Sequence, residues 1–329
     1  MGNSAVFYQG KYRRGLISVA LAQVLLVSQA SATEQTCALK QGVVRTVIRV
    51  NGADSVTLDD GRDVKLAGIL PPRASDGNAA PGKWPPEYDA EATLSAMILG
   101  QAVELAFGAT RTDRYGRHVA HLFVGKDEKR VWVQGALLAS GHARAHATPR
   151  MTDCLPELLA HERVARQSRL GLWRIGLYRP KPAARVALLM HLRSTFQLVA
   201  GRVASVSRTK SGIYLNFGEN WHNDFTIHVS NAVAAANPQW AASLDDLKDT
   251  HVEVRGWVER RNGPMIAISH PAEIEIVPES LTRRFQMPRS GAQSVRRPQD
   301  AVPGIPGTDE VPAPNEERPE PKAPGAVDL

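Results

Sequence analysis

The chemistry this sequence can offer is concentrated in Arg111-Thr112-Asp113-Arg114-Tyr115-Gly116-Arg117. Planar guanidinium groups grip phosphate oxygens two at a time. Arg114, Tyr115 and Arg117 are therefore candidate phosphate- and nucleic-acid-binding residues. A structural reading of the same run stands beside this one, with Tyr115 packed and Gly116 completing a turn. No GxSxG, HExxH or phosphate-loop motif occurs. His118 and His121 are three apart on a strand and face opposite sides, which argues against a shared metal. His142 and His146 read as surface residues.

The run lies between two strand-like segments and resembles the R-T-D-x-Y-G-R signature of the staphylococcal-nuclease (thermonuclease) family. Asn51-Gly52-Ala53-Asp54-Ser55-Val56-Thr57-Leu58 resembles that family's D-G-D-T-V-x-L strand and turn. Glu87-Tyr88-Asp89-Ala90-Glu91-Ala92 is similar to the start of its first helix, and Gly171-Leu172-Trp173 to the end of its last. The resemblance covers roughly residues 40–175. It implies a closed barrel of the OB type backed by three helices, and calcium-dependent cleavage of phosphodiesters.

That chemistry needs oxygen ligands for a hard cation, two cationic clamps where charge builds on the phosphate, and a carboxylate base. By the resemblance, Arg117 keeps its catalytic place and Lys65 stands where the other clamp arginine belongs. Asp54 keeps one metal-ligand position, with a turn-forming role as its alternative. Gly52 replaces the first Asp of that turn, Leu70 the second metal carboxylate, and Arg73 the base. Lys65 retains charge without the bidentate fork, Leu70 cannot ligate calcium, and Arg73 cannot serve as a base at neutral pH. One carboxylate is a poor site for an ion that takes about 6–8 oxygens. The expectation is phosphodiesterase activity lost or strongly impaired, with no cofactor. Calcium enters only if Asp76, Glu87 or Asp89 rebuilds the site.

The elements that must position these residues follow from periodicity. Val43 to Leu70 reads as strands, with a hairpin turn at Asp59-Asp60-Gly61-Arg62. A helix spans Ala90, Leu94, Met97 and Ile98 and ends at Gly100. Val103, Leu105 and Phe107 alternate as a strand, as do Val119, His121 and Phe123. Val133, Leu137 and Leu138 lie on a second helix. A third starts at Thr152 or Asp153 and buries Leu155, Leu158, Leu159 and Val164. Pro180-Lys181-Pro182 is a break, followed by a short helix from Ala183 to Leu192.

A second strand-rich region runs from Phe196 to about Pro278, in the order strand, strand, strand, helix, strand, strand. Its Y-L-N-F-G and V-R-G-x-V stretches resemble the OB-type module that accompanies some bacterial thermonuclease-like domains. Tyr214, Phe217, Trp221, Phe225 and Trp257 are interleaved with Arg202, Arg208, Lys210, Arg255, Arg260 and Arg261. Stacking aromatics beside backbone-neutralising arginines would suit nucleic acid, so Tyr214 and Trp257 join the candidate binding residues. Phe217 and Phe225 read as core.

The fold class expected is α+β, mainly β: a nuclease-type OB barrel with three helices, then a second, smaller OB-like barrel. The expected organisation is a signal peptide at 1–32, a thermonuclease-like domain at 33–177, a linker helix at 178–195, an OB-like domain at 196–280 and a disordered Pro-rich tail at 281–329. Lys11, Arg13 and Arg14 precede an apolar stretch ending in Ala30-Ser31-Ala32, a cleavage-site pattern. These features place the protein outside the cytoplasm, in the periplasm, without a transmembrane segment once processed. In that oxidising setting Cys37 and Cys154 are expected to be bonded, the alternative being two thiols that never meet.

The formal net charge of +7 favours a polyanionic partner. The leading functional reading is a nucleic-acid- or polyanion-binding protein. An active calcium-dependent nuclease with a rebuilt site and an envelope protein-interaction module, with a protein partner held by the tail, remain the alternatives.

Overall fold

In the computed structural model, which describes residues 37–80, 83–220 and 222–278, strand β1 (Lys40–Gly52) is long because it serves two partners. Its first half pairs antiparallel with β4 (Ala102–Phe107), its second half with β2 (Ser55–Leu58). The Asp59–Arg62 turn leads into β3 (Asp63–Leu66), and β5 (His118–Val124) pairs antiparallel with β4 and parallel with β3. That parallel pair closes a five-stranded barrel and leaves no unpaired edge. Val47, Leu58, Val64, Leu66, Leu105 and Leu122 fill it. The signal-peptide and tail expectations lie outside the described residues, as does Trp221.

Three helices back the barrel: α1 (Pro85–Ile98), α2 (Val133–Ala139) and α3 (Leu155–Ser168). Helix α3 buries Leu155, Leu158 and Leu159 as expected, but Val164 is 52% exposed. At 100° per residue Val164 lies opposite Leu155, whereas Glu162 and Ala165 continue the buried stripe. Cys154 caps the start of α3 and is bonded to Cys37, 117 residues upstream. The bridge ties the segment leading into β1 to the start of this helix.

The Pro180–Pro182 segment, expected as a break, contributes a two-residue strand: Lys181 and Pro182 pair parallel with Val199 and Ala200. Helix α4 (Val186–His191) follows. The second barrel comprises β6 (Phe196–Arg202), β7 (Ser205–Thr209), β8 (Gly212–Asn216), β9 (Thr226–Val229), β10 (His251–Arg261) and β11 (Gly263–Ile268). β6 and β7 together repeat the part of β1: β6 pairs with β10, and β7 with β8. β9 and β11 form the parallel pair, just as β3 and β5 do. The molecule is thus α+β, mainly β, with two barrels of one strand order. Strand β7 lacks the alternation that predicts a strand, because Ser205-Val206-Ser207-Arg208-Thr209 carries a single strongly apolar residue.

The barrels meet across a shared apolar layer in which Leu70, Trp173 and Tyr178 pack with Phe196 and Leu198. Beside it Arg255, 2% exposed, reaches from β10 to Glu162 of α3, 1% exposed. Arg255, read in sequence among the backbone-neutralising arginines of the second barrel, is instead a buried bolt between the barrels. Among the described residues no helix is long and apolar enough to cross a membrane.

Candidate phosphate-binding site

The turn between β4 and β5 is organised by one carboxylate. Asp113 Oδ1 accepts the backbone N–H of Tyr115 at 2.9 Å and of Arg117 at 3.1 Å. Its Oδ2 takes Arg117 Nε at 2.8 Å and Nη2 at 2.7 Å. Burial opposes the charge on Asp113, but these bonds prevail and hold its carboxyl below the usual range. Gly116, at φ +80°, supplies the left-handed backbone that lets the turn close.

The consequence is a fixed guanidinium whose Nη1 edge donates to no other described residue. Beside it the Tyr115 ring is 68% exposed, which overturns the reading in which this ring packs inward. The guanidinium carbons of Arg114 and Arg117 lie 4.8 and 5.5 Å from its centroid. An exposed aromatic face between two cations is the arrangement that stacks a base while neutralising its phosphate.

Asp54, in the turn between β1 and β2, is ion-paired within the chain. Lys65 Nζ lies 2.5 Å from its Oδ2, and Arg73 Nη2 lies 3.6 Å from the same atom. The backbone fixes this meeting, since Ser55 is paired with Lys65 and the Asp54 carbonyl accepts the Leu66 N–H. Lys65 and Arg73 thus both sit on one of the two oxygens of this carboxylate. Calcium does not fit the residues present: Leu70 is buried in the junction between barrels, and the other carboxylates are committed or distant. Asp76 is held by Arg144 Nη2 and the Tyr178 hydroxyl, each at 3.1 Å, and Glu87 by the Ala74 N–H. The charge of Asp89 acts on His142, opposing the burial that lowers that imidazole. Among the described residues no three His, Cys, Asp or Glu side chains gather.

His146, read in sequence as a surface residue, is wedged between barrels. Its ring centroid lies 5.2 Å from Phe196 and 6.3 Å from Trp257, and Trp257 Nε1–H donates to its Nε2 at 3.2 Å. Burial, with the positive charges of Arg144, Lys65 and Arg73, pushes the imidazole down to about 4. A neutral imidazole at the edge of the Asp54–Lys65–Arg73 cluster, held by the second barrel, carried no signal in sequence. Only the meeting of residues 111 positions apart creates it.

The candidates do not form one constellation. Asp54 and Lys65 sit together with Arg73. Arg114, Tyr115 and Arg117 form their own turn at the start of β5, whose Val119 is paired with Lys65. Trp257 touches the first group through His146. Tyr214 lies on the second barrel, stacked on His228 at 4.7 Å. Phe225 is fully buried, whereas Phe217 only borders that core. Arg202 and Arg208 are paired with Asp249 and Asp245. His121 is buried and pushed down to about 4 by that burial, against the pull of Asp153.

Comparison with known proteins agrees with this geometry. Residues 63–175 match the model of the staphylococcal nuclease homologue family, so this segment is a staphylococcal-nuclease-like domain, a nuclease-like fold compatible with nucleic-acid binding. The matched segment contains Lys65, Leu70, Arg73 and the whole Arg111–Arg117 run, while Asp54 and the second barrel lie outside it. No curated protein matches the chain.

Proposed function

We propose that this protein binds nucleic acid or a related polyanion through its nuclease-like barrel and does not cleave it. The observation that carries the reading is the pairing of the Asp54 carboxylate with Lys65 and Arg73. Where the family's reaction needs a divalent ion and a base, this chain has an internal ion-pair cluster. Transition-state donors and metal each account for several kcal/mol of catalysis. What persists is cationic and aromatic: Arg114, Tyr115 and the fixed Arg117. The Cys37–Cys154 bond supports a place in an oxidising compartment, in keeping with export and cleavage after Ala32.

The test pairs two assays on the protein starting at Thr33. Incubation of denatured DNA with calcium should give no digestion above background. Fluorescence anisotropy with a labelled single-stranded oligonucleotide should show binding that weakens steeply with salt, each neutralised phosphate adding roughly −0.7 to the log–log slope. Calcium-stimulated digestion abolished by Arg117→Ala would overturn the proposal. So would salt-insensitive binding.

A further inference from the structure

The outer face of the second barrel carries a cavity of about 390 Å³ that the nuclease-like domain does not explain. Ser207 and Thr209 of β7, Tyr214 and Asn216 of β8, and Arg261 and Asn262 of the β10–β11 hairpin line it. Strand register puts these residues on one face. Ser207, Tyr214 and His228 form one cross-strand row, and Ser205, Asn216, Thr226 and Met265 the next. Apolar Val206, Leu215, Ile227 and Ile266 take the intervening positions; the last three belong to the core cluster and Val206 packs against it.

The lining has a definite chemistry. Hydroxyls and amides dominate, no carboxylate contributes, and Arg261 is its single charge. Among the described residues Arg261 has no acidic partner, unlike Arg202 and Arg208 on the same barrel. The Tyr214 ring is held in place by its stack on His228 (4.7 Å, 26° between planes) and by its hydroxyl at 2.9 Å from Ser211 Oγ. Asn216, 7% exposed, is fixed by Ser205 and Thr226. A pre-ordered aromatic and amide wall with one free guanidinium suits a flat, hydrogen-bonding ring joined to an anion, and ordering costs that would weaken binding are already met.

β10 connects this cavity to the first site. Trp257, 44% exposed, donates to His146 beside the Lys65–Arg73 cluster. Arg261 lies four residues further along the same strand, about 13 Å at ~3.3 Å per residue, with its side chain on the same side. Exposed Glu259 lies between them and disfavours a phosphate at that point.

We propose that this cavity is a nucleotide subsite, taking a base against Tyr214 and Asn216 and a backbone phosphate at Arg261, so that one single strand can engage both barrels. It rests on the polyanion-binding reading above. The test uses the full mature chain and a single-stranded oligodeoxyuridine carrying 5-iodouracil. Photo-crosslinks are mapped by mass spectrometry, and anisotropy is measured for Arg261→Ala, Tyr214→Ala and Arg117→Ala. Crosslinks should fall in both 111–117 and 205–217. Arg261→Ala should weaken binding several-fold and lower the salt slope by roughly 0.7. Tyr214→Ala should cost at least about fivefold. Crosslinks confined to 111–117, with Arg261→Ala binding normally, would overturn this proposal and leave the first reading standing. Crosslinks confined to 205–217 would remove the first-barrel site and overturn the engagement of both barrels by one strand. No oligonucleotide binding, or displacement of the strand by a neutral dextran oligosaccharide, would overturn it as well.

Discussion

Arg255 Nη1 lies 2.9 Å from both carboxylate oxygens of Glu162, joining the second barrel to the last helix of the first through a buried ion pair. Glu162 Oε2 also accepts the Ala145 N–H at 2.6 Å. Removing one partner strands a charge away from water, at about 3–5 kcal/mol. Arg255→Met should therefore destabilise the protein by that amount in urea unfolding. Arg255→Met with Glu162→Met should recover most of the loss, less what the Ala145 N–H forfeits. A single variant as stable as the parent would show that the pair does not hold the barrels together.

The Cys37–Cys154 bond closes a loop spanning 117 positions. In the chain-entropy treatment that is worth about 5 kcal/mol. Cys37→Ser with Cys154→Ser should lower the unfolding free energy by a figure of that order, and the native protein should contain no alkylatable thiol when denatured without reductant. Free thiols in unreduced material would count against the bond.

Stability should fall as the solution is acidified from 6.5 toward 4. His121 and His146 stay neutral in the fold down to about 4, against 6.5 for a free imidazole. Across that window the unfolded chain binds two protons the folded chain refuses, and proton uptake on unfolding lowers stability as pH falls. Glu273 works the other way between 4.5 and 7: burial raises it to about 7, so the folded chain keeps a proton the unfolded chain releases. Each such group contributes up to about 1.4 kcal/mol per pH unit; His142 and His270, also lowered by burial, add to the histidine side, and Glu253, raised by burial, to the other. His146→Gln should flatten the slope. Urea midpoints measured between about pH 5 and 6 decide the matter, and an unchanged slope in the variant would refute the assignment to His146.

What the sequence carried and what it hid divide by range. Alternation in Val103, Leu105 and Phe107, and the spacing of Leu155, Leu158 and Leu159, are local signals, so both barrels and their helices were legible. The Arg111–Arg117 turn was legible too, because Asp113 acts on residues within four positions of itself. The barrel junction was not. Arg255 looks like any strand arginine, and Glu162 like any surface helix residue, until 93 positions of chain bring them together. The burial of Leu70, the wedging of His146 and the pairing of Lys181-Pro182 with β6 depend in the same way on where the second barrel docks.

That docking also bears on whether cleavage can be restored. Gly52→Asp, Leu70→Asp and Arg73→Glu together would return the carboxylates the nuclease family uses. Leu70, however, is buried among Trp173, Tyr178, Phe196 and Leu198, so an Asp there loses apolar burial and gains an unpaired charge. The cost should be about 3–5 kcal/mol. Arg73→Glu would at the same time set a second carboxylate beside Asp54 in place of a cation 3.6 Å away. The triple variant should therefore unfold at markedly lower urea than the parent and show no calcium-stimulated digestion of denatured DNA. Gly52→Asp with Arg73→Glu, leaving Leu70 intact, should be better folded and equally inactive. If the triple variant instead digests DNA with calcium and melts near the parent, the junction is not what excludes the metal, and the loss of activity lies in the carboxylates alone.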